Sequence, residues 1–307
     1  MEGPDRKRAP MLINCKQKIA RTLAGTGLCL AFAVGFCACT KAEEPADPAS
    51  TTDPTEAVEP AGAADPAAPA QVPTDEFLAQ IQGSFVPLFD VMGQDANKQV
   101  WYDQFRAQLS LEDEATAEML RQTIIGMFSA VPYGDEALKL VAADPTYSLF
   151  HCGFTDNVVR ITIDGNTITG TDATGAQVFS HTYTFVGAGK YDFDEETNAA
   201  YSAYYTDEAW PTMRVYKAAG ATDGFKYFAF CGDTPAETFH IEFRYAAVQE
   251  GITSFYSGPC AYFMPSGILA DADAKAIEDV ISLFVEENAE GFKAMIVATG
   301  SDTPAAA

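Results

Sequence analysis

The sequence predicts an α+β fold in which helices precede a sheet or barrel of antiparallel strands. Apolar residues recur at helical spacing over residues 74–143 and again over residues 271–285, whereas residues 158–245 consist of short β-rich runs separated by turn residues. Helices, then a meander of strands, then a closing helix is an order typical of α+β domains. No internal repeat is visible, and the length of the region suits one domain.

Four helices are predicted before the strands. The first begins at Thr74, whose side chain can cap a helix, and its apolar spacing continues to Phe85, while Gly83 and Pro87 keep it short. The other three span residues 101–109, 111–128 and 135–143. The helix over residues 111–128 has the clearest apolar face of the four.

The strand region opens with a predicted β-hairpin. Residues 158–163 and 167–169 are rich in β-branched side chains and flank Asp164-Gly165-Asn166, which is a turn sequence. Further strands are predicted over residues 181–186, 213–216, 225–231 and 238–245. Alternation in the last of these puts His240 and Glu242 on one face and apolar residues on the other.

The first forty residues have the layout of a secretory signal peptide. Basic residues are followed by an apolar run over residues 23–38, which ends in Ala38-Cys39. A small residue before a cysteine resembles the lipobox of bacterial lipoproteins, and Cys37 fits worse because the bulky Phe36 precedes it. The alternative is a transmembrane anchor, but the run is short against the roughly 20 apolar residues that a bilayer needs. Residues 1–38 are therefore predicted to be a signal peptide, and Cys39 to be lipidated.

The predicted anchor sets the organisation and the location of the chain. Residues 39–73 are mostly Ala, Pro, Thr and acidic residues, and such a segment is expected to be a disordered tether. Residues 74–298 are predicted to form one domain, and residues 299–307 a disordered tail. The domain is expected to be extracytoplasmic, held by lipid to the bacterial cell membrane.

Charge and motifs narrow the class of function. The chain has 19 basic and 43 acidic residues, so its net charge of −24 disfavours binding to nucleic acid. Its sequence has no HExxH, P-loop, CxxC or G-x-S-x-G motif, and an enzyme is not expected. Outside the cytoplasm, Cys152, Cys231 and Cys260 predict one disulfide and one thiol, with the pairing open.

His240 is the best candidate for a metal ligand. It lies two residues before Glu242 on a predicted strand, so the two side chains point the same way about 6.5–7 Å apart and can converge on one ion. Imidazole nitrogen and carboxylate oxygen are both ligands of zinc. The alternative is a histidine without metal, beside a glutamate that forms a salt bridge with Arg244.

Several patches of the chain resemble the ZinT (YodA-like) family of zinc-binding domains, in the same order along the sequence. Thr238-Phe239-His240-Ile241 is similar to the family's His-Phe-His-Ile. The other patches are residues 153–156, 161–167, 183–187, 225–230 and 259–265.

The resemblance implies a lipocalin-like (calycin) antiparallel β-barrel with added N-terminal helices and a closing C-terminal helix. It also implies binding of zinc or a similar ion by three histidines. Of the three ligand positions, only His240 keeps its histidine, Thr238 replaces another, and the third falls at Asp233. Exchange of imidazole for carboxylate is expected to weaken zinc binding and to favour harder ions.

Two functions from different classes follow. The first is a lipoprotein that captures zinc or a similar divalent cation through His240, Asp233 and Glu242, with His151 or His181 as further candidates and a metal transporter as a candidate partner. The second is a non-metal module, in which the barrel binds a small apolar or peptide ligand or another protein. Convergence of the three ligands within about 4 Å of one point would favour the first.

Overall fold

The computed structural model describes residues 74–129, 132–143, 150–190, 212–253 and 257–298. The predicted signal peptide, the lipidated Cys39, the tether and the tail all lie outside these ranges. Within them, no helix combines the length and the apolar composition that would let it cross a bilayer.

Nine strands of the described residues form one antiparallel sheet. They are β1 (Gly83–Pro87), β2 (Arg160–Asp164), β3 (Thr167–Thr171), β4 (Gln177–Thr182), β5 (Thr184–Lys190), β6 (Thr212–Lys217), β7 (Tyr227–Phe230), β8 (Ile241–Ala246) and β9 (Ser266–Leu269). Their order in space is β4-β3-β2-β1-β9-β8-β7-β6-β5. The sheet therefore joins two meanders through β1, which pairs with β2 on one side and β9 on the other.

The two edges of the sheet are brought together by a single residue. β4 and β5 lie at opposite ends of the strand order, yet only Tyr183 separates them in the chain. Because one residue spans less than 4 Å, the sheet has to curve until its edges are neighbours. The Tyr183 side chain is buried and its hydroxyl donates a hydrogen bond to the Phe225 carbonyl, which holds the corner in place. The result is a nearly closed barrel.

Five helices accompany the barrel in the described residues. They are α1 (Leu88–Met92), α2 (Lys98–Leu109), α3 (Glu114–Ser129), α4 (Asp135–Ala143) and α5 (Ala274–Ala298). α5 packs against α2 through edge-to-face contact of Trp101 with Phe284 and through a hydrogen bond from Gln108 Nε2 to the Ser282 carbonyl. The predicted α+β fold, an antiparallel barrel with added helices, is confirmed.

Both faces of the strands are buried, each in its own apolar cluster. Phe228, Ile241 and Phe243 belong to a cluster that takes residues from strands around the whole barrel, which makes it the barrel interior. Met213 and Cys231 belong to a second cluster together with the apolar faces of the helices. The outer face of β6 and β7 thus lies under the helical layer, where Met213 and Cys231 are as buried as the residues of the interior.

The prediction of a first helix from Thr74 was wrong. Residues 78–80 form one turn of 3-10 helix, and Phe85 lies in β1. Gly83 has a φ of +132°, which helix geometry does not allow, and β1 is fixed by pairing on both of its edges. Long-range pairing outweighed a local apolar spacing that both structures can satisfy.

The other differences concern the bounds of two strands and one strand that was missed. The predicted strand over residues 181–186 is divided at Tyr183 between β4 and β5. The strand predicted from residue 238 begins at Ile241, because Phe239 has a left-handed φ of 66° that ends the extended backbone. β9 was not predicted. The hairpin of β2 and β3 and the helices α2, α3 and α4 lie where predicted.

Candidate metal centre

Four buried side chains form a row across neighbouring strands on the outer face of the barrel. Met213 is in β6, Cys231 follows β7, Glu242 is in β8 and Ser266 begins β9. The Cys231 backbone N–H donates to the Glu242 carbonyl at 2.9 Å, and Glu242 is paired with Ser266 in the β8–β9 ladder. The Cys231 thiol lies 3.4 Å from the Met213 sulfur. Strand register therefore brings sulfur and carboxylate groups together here.

Asp233 joins this row from the turn that follows β7. The Cys231 Sγ atom and one carboxylate oxygen each from Asp233 and Glu242 lie within 4.8 Å of one another. Cys231 is 3 % exposed, Asp233 6 % and Glu242 4 %. In the part of the chain that the structure describes, no other group of three cysteine, histidine or acidic residues meets the same criterion.

His240 borders the group and is held in one orientation. Its ring is 1 % exposed, and Nδ1 lies 2.7 Å from the Thr238 carbonyl oxygen. A carbonyl only accepts, so Nδ1 carries the proton, and in the neutral ring Nε2 carries the lone pair. Nε2 lies 3.6 Å from the Glu242 Oε1 atom. The backbone contact thus turns the ring's ligating atom toward the carboxylate.

The turn that carries Asp233 to His240 is fixed by its own hydrogen bonds. The Thr238 backbone N–H and its hydroxyl both donate to the Thr234 carbonyl, at 2.9 and 3.0 Å. Phe239 then adopts its left-handed conformation, which redirects the chain into β8 at Ile241. The family resemblance implied a ligand histidine at position 238. In this chain Thr238 lies in the turn, and its backbone carbonyl orients the His240 ring.

Positive charge stabilises a group of this composition. Two carboxylates and a thiol within 4.8 Å of one another repel when ionised, and burial makes the repulsion stronger. A proton, an imidazolium or a metal ion can each supply the positive charge. Arg244 lies two residues beyond Glu242 and is fully buried, and it donates hydrogen bonds to the carbonyls of Phe263, Ile252 and Cys260.

The two other histidines lie apart from this group. His181 is in β4, where its Nε2 atom is 2.7 Å from an Asp223 carboxylate oxygen. The His151 ring contacts the rings of Tyr133 and Phe263, with centroids 5.5 and 5.8 Å away. Neither is a member of the group formed by Cys231, Asp233 and Glu242.

Cys231 is the site residue that the sequence analysis missed. The predicted disulfide was wrong, because Cys152, Cys231 and Cys260 are all buried thiols. Cys231 and Cys260 belong to clusters on opposite faces of the sheet, which keeps those two sulfurs apart. The signal was the Cys231-Gly232-Asp233 spacing, which repeats the two-residue spacing of His240 and Glu242. The sequence analysis missed it because it assigned the three cysteines to one disulfide and one thiol, as expected for a protein outside the cytoplasm.

Comparison with known proteins found similar structures but no similar curated sequence. No protein-family model and no curated protein matches the chain. The Zn(II)-bound ZinT-like domain of Streptococcus pneumoniae AdcA is 14 % identical, with a TM-score of 0.41, and the alignment covers 68 % of this chain and 92 % of that domain. Zn(II)-bound AdcA from the same organism is also 14 % identical, with a TM-score of 0.40, and 67 % of this chain and 35 % of AdcA are covered.

The first of these structures bears the name of the family that the sequence patches resemble. Both similar structures are zinc-bound, and one of them is a ZinT-like domain by itself. The candidate site rests on its own residues and distances.

Proposed function

We propose that this chain binds a divalent metal ion, with zinc as the ion that its ligands fit best, through Cys231, Asp233, His240 and Glu242. The observation that carries the proposal is the convergence of a thiol and two carboxylates within 4.8 Å of one another in a buried place. The imidazole Nε2 atom of His240, 3.6 Å from Glu242, supplies the fourth donor. One sulfur, one nitrogen and two oxygens make up a tetrahedral set of zinc ligands.

The presence of Cys231 changes the expected preference for metals. Asp233 and Glu242 alone with one imidazole would suit harder ions such as manganese or magnesium. A thiolate is a soft ligand that favours zinc over those ions, and it offsets the histidines missing from the family pattern. Zinc bound to Cys231 would have a short, strong bond of about 2.3 Å to sulfur.

Metal binding would also add positive charge to the group. Binding requires the thiolate, the two carboxylates and the neutral ring, so protons leave as the ion enters. A divalent ion then neutralises most of the negative charge that the buried acids carry. The hydrogen bond from Nδ1 to the Thr238 carbonyl selects the ring tautomer that binds through Nε2, which is a common arrangement for histidine ligands.

The cellular part of the proposal comes from the sequence. A signal peptide over residues 1–38 and lipid on Cys39 would place the domain outside the cytoplasm at the cell membrane. A metal-binding domain held there would capture the ion and supply a metal transporter. The proposed role is binding, because four protein donors would fill the tetrahedral coordination of a zinc ion.

The alternative of a ligand inside the barrel has less support. The Phe228 ring lies in the interior and contacts the rings of Phe230, Phe243 and Tyr245, with centroids 5.3–5.9 Å apart. Stacked aromatic side chains fill the centre of this part of the barrel, where a small apolar ligand would have to lie.

Calorimetric titration of the metal-stripped 307-residue chain with zinc tests the proposal. We expect one zinc ion to bind, and Asp233→Asn to weaken the binding by at least ~100-fold, which is about 2.7 kcal/mol. Asp223→Asn is the matched control, because that carboxylate contacts His181 and lies outside the group, and it should leave zinc binding unchanged. No zinc binding at millimolar metal, or an equal loss in both variants, would contradict the proposal.

A further inference from the structure

We propose that the same centre takes a second class of ion, the soft monovalent ion Cu(I), through the paired sulfur atoms of Cys231 and Met213. This inference rests on the metal site proposed above, because Cys231 belongs to both ligand sets. The direct observation is that the Cys231 thiol donates to the Met213 thioether at an Sγ–Sδ distance of 3.4 Å. Neither sulfur atom was singled out by the sequence patterns.

The sulfur pair is fixed by the sheet. In the β6–β7 ladder Arg214 is paired with Phe230, so the next pair along the two chains is Met213 with Cys231. Cys231 is bonded in turn to Glu242 on the other side, through its backbone N–H. Met213 is fully buried in the cluster beneath the helices. The contact therefore follows from strand register and does not depend on a flexible surface side chain.

The chemistry of the two sulfurs separates the two classes of ion. A thioether is uncharged and soft, so it adds little to zinc binding, while thiolate and thioether together are the ligands that Cu(I) prefers. Two sulfur atoms 3.4 Å apart can both reach one ion at a metal–sulfur distance of about 2.3 Å. Cu(I) needs few ligands, so Asp233 and Glu242 are not required for it.

The binding step balances without any change of oxidation state. Cu(I) replaces the proton that the Cys231 thiol now shares with Met213, and that proton leaves to solvent. The product is a Cu(I)–thiolate bond with a second, dative bond from the Met213 thioether. One positive charge replaces another, so the net charge of this buried site does not change when Cu(I) binds.

Three variants distinguish the zinc ligands from the Cu(I) ligands. Asp233→Asn removes a zinc ligand only, Met213→Leu removes a Cu(I) ligand only, and Cys231→Ser removes a ligand from both. Leucine has nearly the volume of methionine, so the second change preserves the packing. Met92→Leu is the matched control, because Met92 in α1 is fully buried in the same cluster and its side chain belongs to neither ligand set.

The experiment measures Cu(I) affinity without oxygen, by competition with a Cu(I) chelator, and zinc affinity by calorimetry on the same chains. We expect Met213→Leu to weaken Cu(I) binding at least tenfold and to change zinc binding by less than twofold. Asp233→Asn should do the reverse, Cys231→Ser should weaken both, and Met92→Leu should weaken neither. Unchanged Cu(I) affinity in Met213→Leu, or an equal loss for both ions, would overturn the inference.

X-ray absorption of the Cu(I)-loaded wild-type chain decides the matter even if Met213→Leu fails to fold. Two sulfur neighbours around copper support the inference, and one sulfur neighbour overturns it. Cu(I) bound by two sulfurs in a chain that binds no zinc would refute the proposed zinc function and leave this inference standing. Zinc binding without any Cu(I) binding would refute this inference alone.

Discussion

Two acidic regions of this molecule use their carboxylates in opposite ways. In the helical layer, Glu118 of α3 receives hydrogen bonds from Arg121 at 2.9 and 3.0 Å, from the Tyr102 hydroxyl at 3.0 Å and from Gln122 at 2.7 Å. On the barrel, the carboxylates of Asp233 and Glu242 converge with a thiol. The first carboxylate is surrounded by donors, whereas the other two lie close to each other and to a thiol.

The comparison shows what distinguishes a structural carboxylate from a candidate ligand. The Arg121 guanidinium beside Glu118 lowers the pKa of that carboxyl to about 2, so it stays ionised with its own cation beside it. Arg121 also donates to the Gly93 carbonyl and so ties α3 to the end of α1. This group is complete as folded. The group on the barrel instead brings three acidic side chains together, which is an arrangement that a cation can bind.

The largest expected effect is on zinc binding. Glu242→Gln should lower zinc affinity by about 100-fold or more, because the amide keeps the shape but loses the anionic ligand, and 100-fold corresponds to ~2.7 kcal/mol. Glu118→Gln should leave zinc affinity unchanged. Both are measured by calorimetric titration of metal-stripped protein. Equal affinities of the two variants would remove the distinction between the two regions.

The next effect is on stability and falls on the helical layer. Glu118→Gln should lower the free energy of unfolding by about 2 kcal/mol, because the buried Arg121 guanidinium loses the nearer of its two carboxylates and keeps only Asp95 at 3.7 Å. Urea unfolding of the metal-free protein measures it. A loss below 0.5 kcal/mol, as for an exposed ion pair, would show that water replaces the carboxylate at no cost.

A smaller effect of opposite sign is expected on the barrel. Glu242→Gln should raise the free energy of unfolding of the metal-free protein by about 1 kcal/mol, since it removes one of two repelling carboxylates. Excess zinc should reverse the order, because wild type then gains stability from the bound ion. Urea unfolding in the presence of a chelator tests the metal-free prediction, and unfolding in excess zinc tests the reversal. A destabilised metal-free variant would mean that Glu242 is a structural carboxylate like Glu118.

The smallest expected effect is the acid dependence of the Glu118 contribution. Its folded-state pKa of about 2 lies below the ordinary value of 4.5, so its stabilisation is complete above pH ~4.5 and is lost as the pH falls toward 2. The stability difference between wild type and Glu118→Gln should therefore shrink across this range. Urea unfolding at a series of pH values measures it, and a difference that is constant down to pH 2 would contradict the assignment.

Part of the candidate site could be predicted from residues close together in sequence. His240 and Glu242 were found because a two-residue spacing on a strand puts side chains on one face, and Asp233 was found from the family resemblance. Cys231 was missed because its role depends on lying opposite Glu242, and the register between two strands is not contained in the periodicity of either. With Cys231 in the ligand set, the expected preference moves from harder ions to zinc.

The same limit explains the errors in the fold. Residues with strong local patterns, such as those of α4 and of the β2–β3 hairpin, were predicted well. Phe85 has a spacing that fits a helix, but β1 exists because it pairs with β2 and β9, and β9 is far away in the chain. The chain leaves β4 at Tyr183 because the two edges of the sheet meet there, and no local sequence pattern predicts that position.

The position of β1 has a consequence for the order in which the chain folds. Val86 pairs with Ile268, so the first strand can complete its pairing only when the last strand is in place. In contrast, β5 to β8 are consecutive in the chain and adjacent in the sheet, so they can pair early. Contacts between distant segments form late because they close long loops. Cys231 and Glu242 lie on adjacent, consecutive strands, and the centre of the proposed ligand set can therefore assemble before the barrel is sealed.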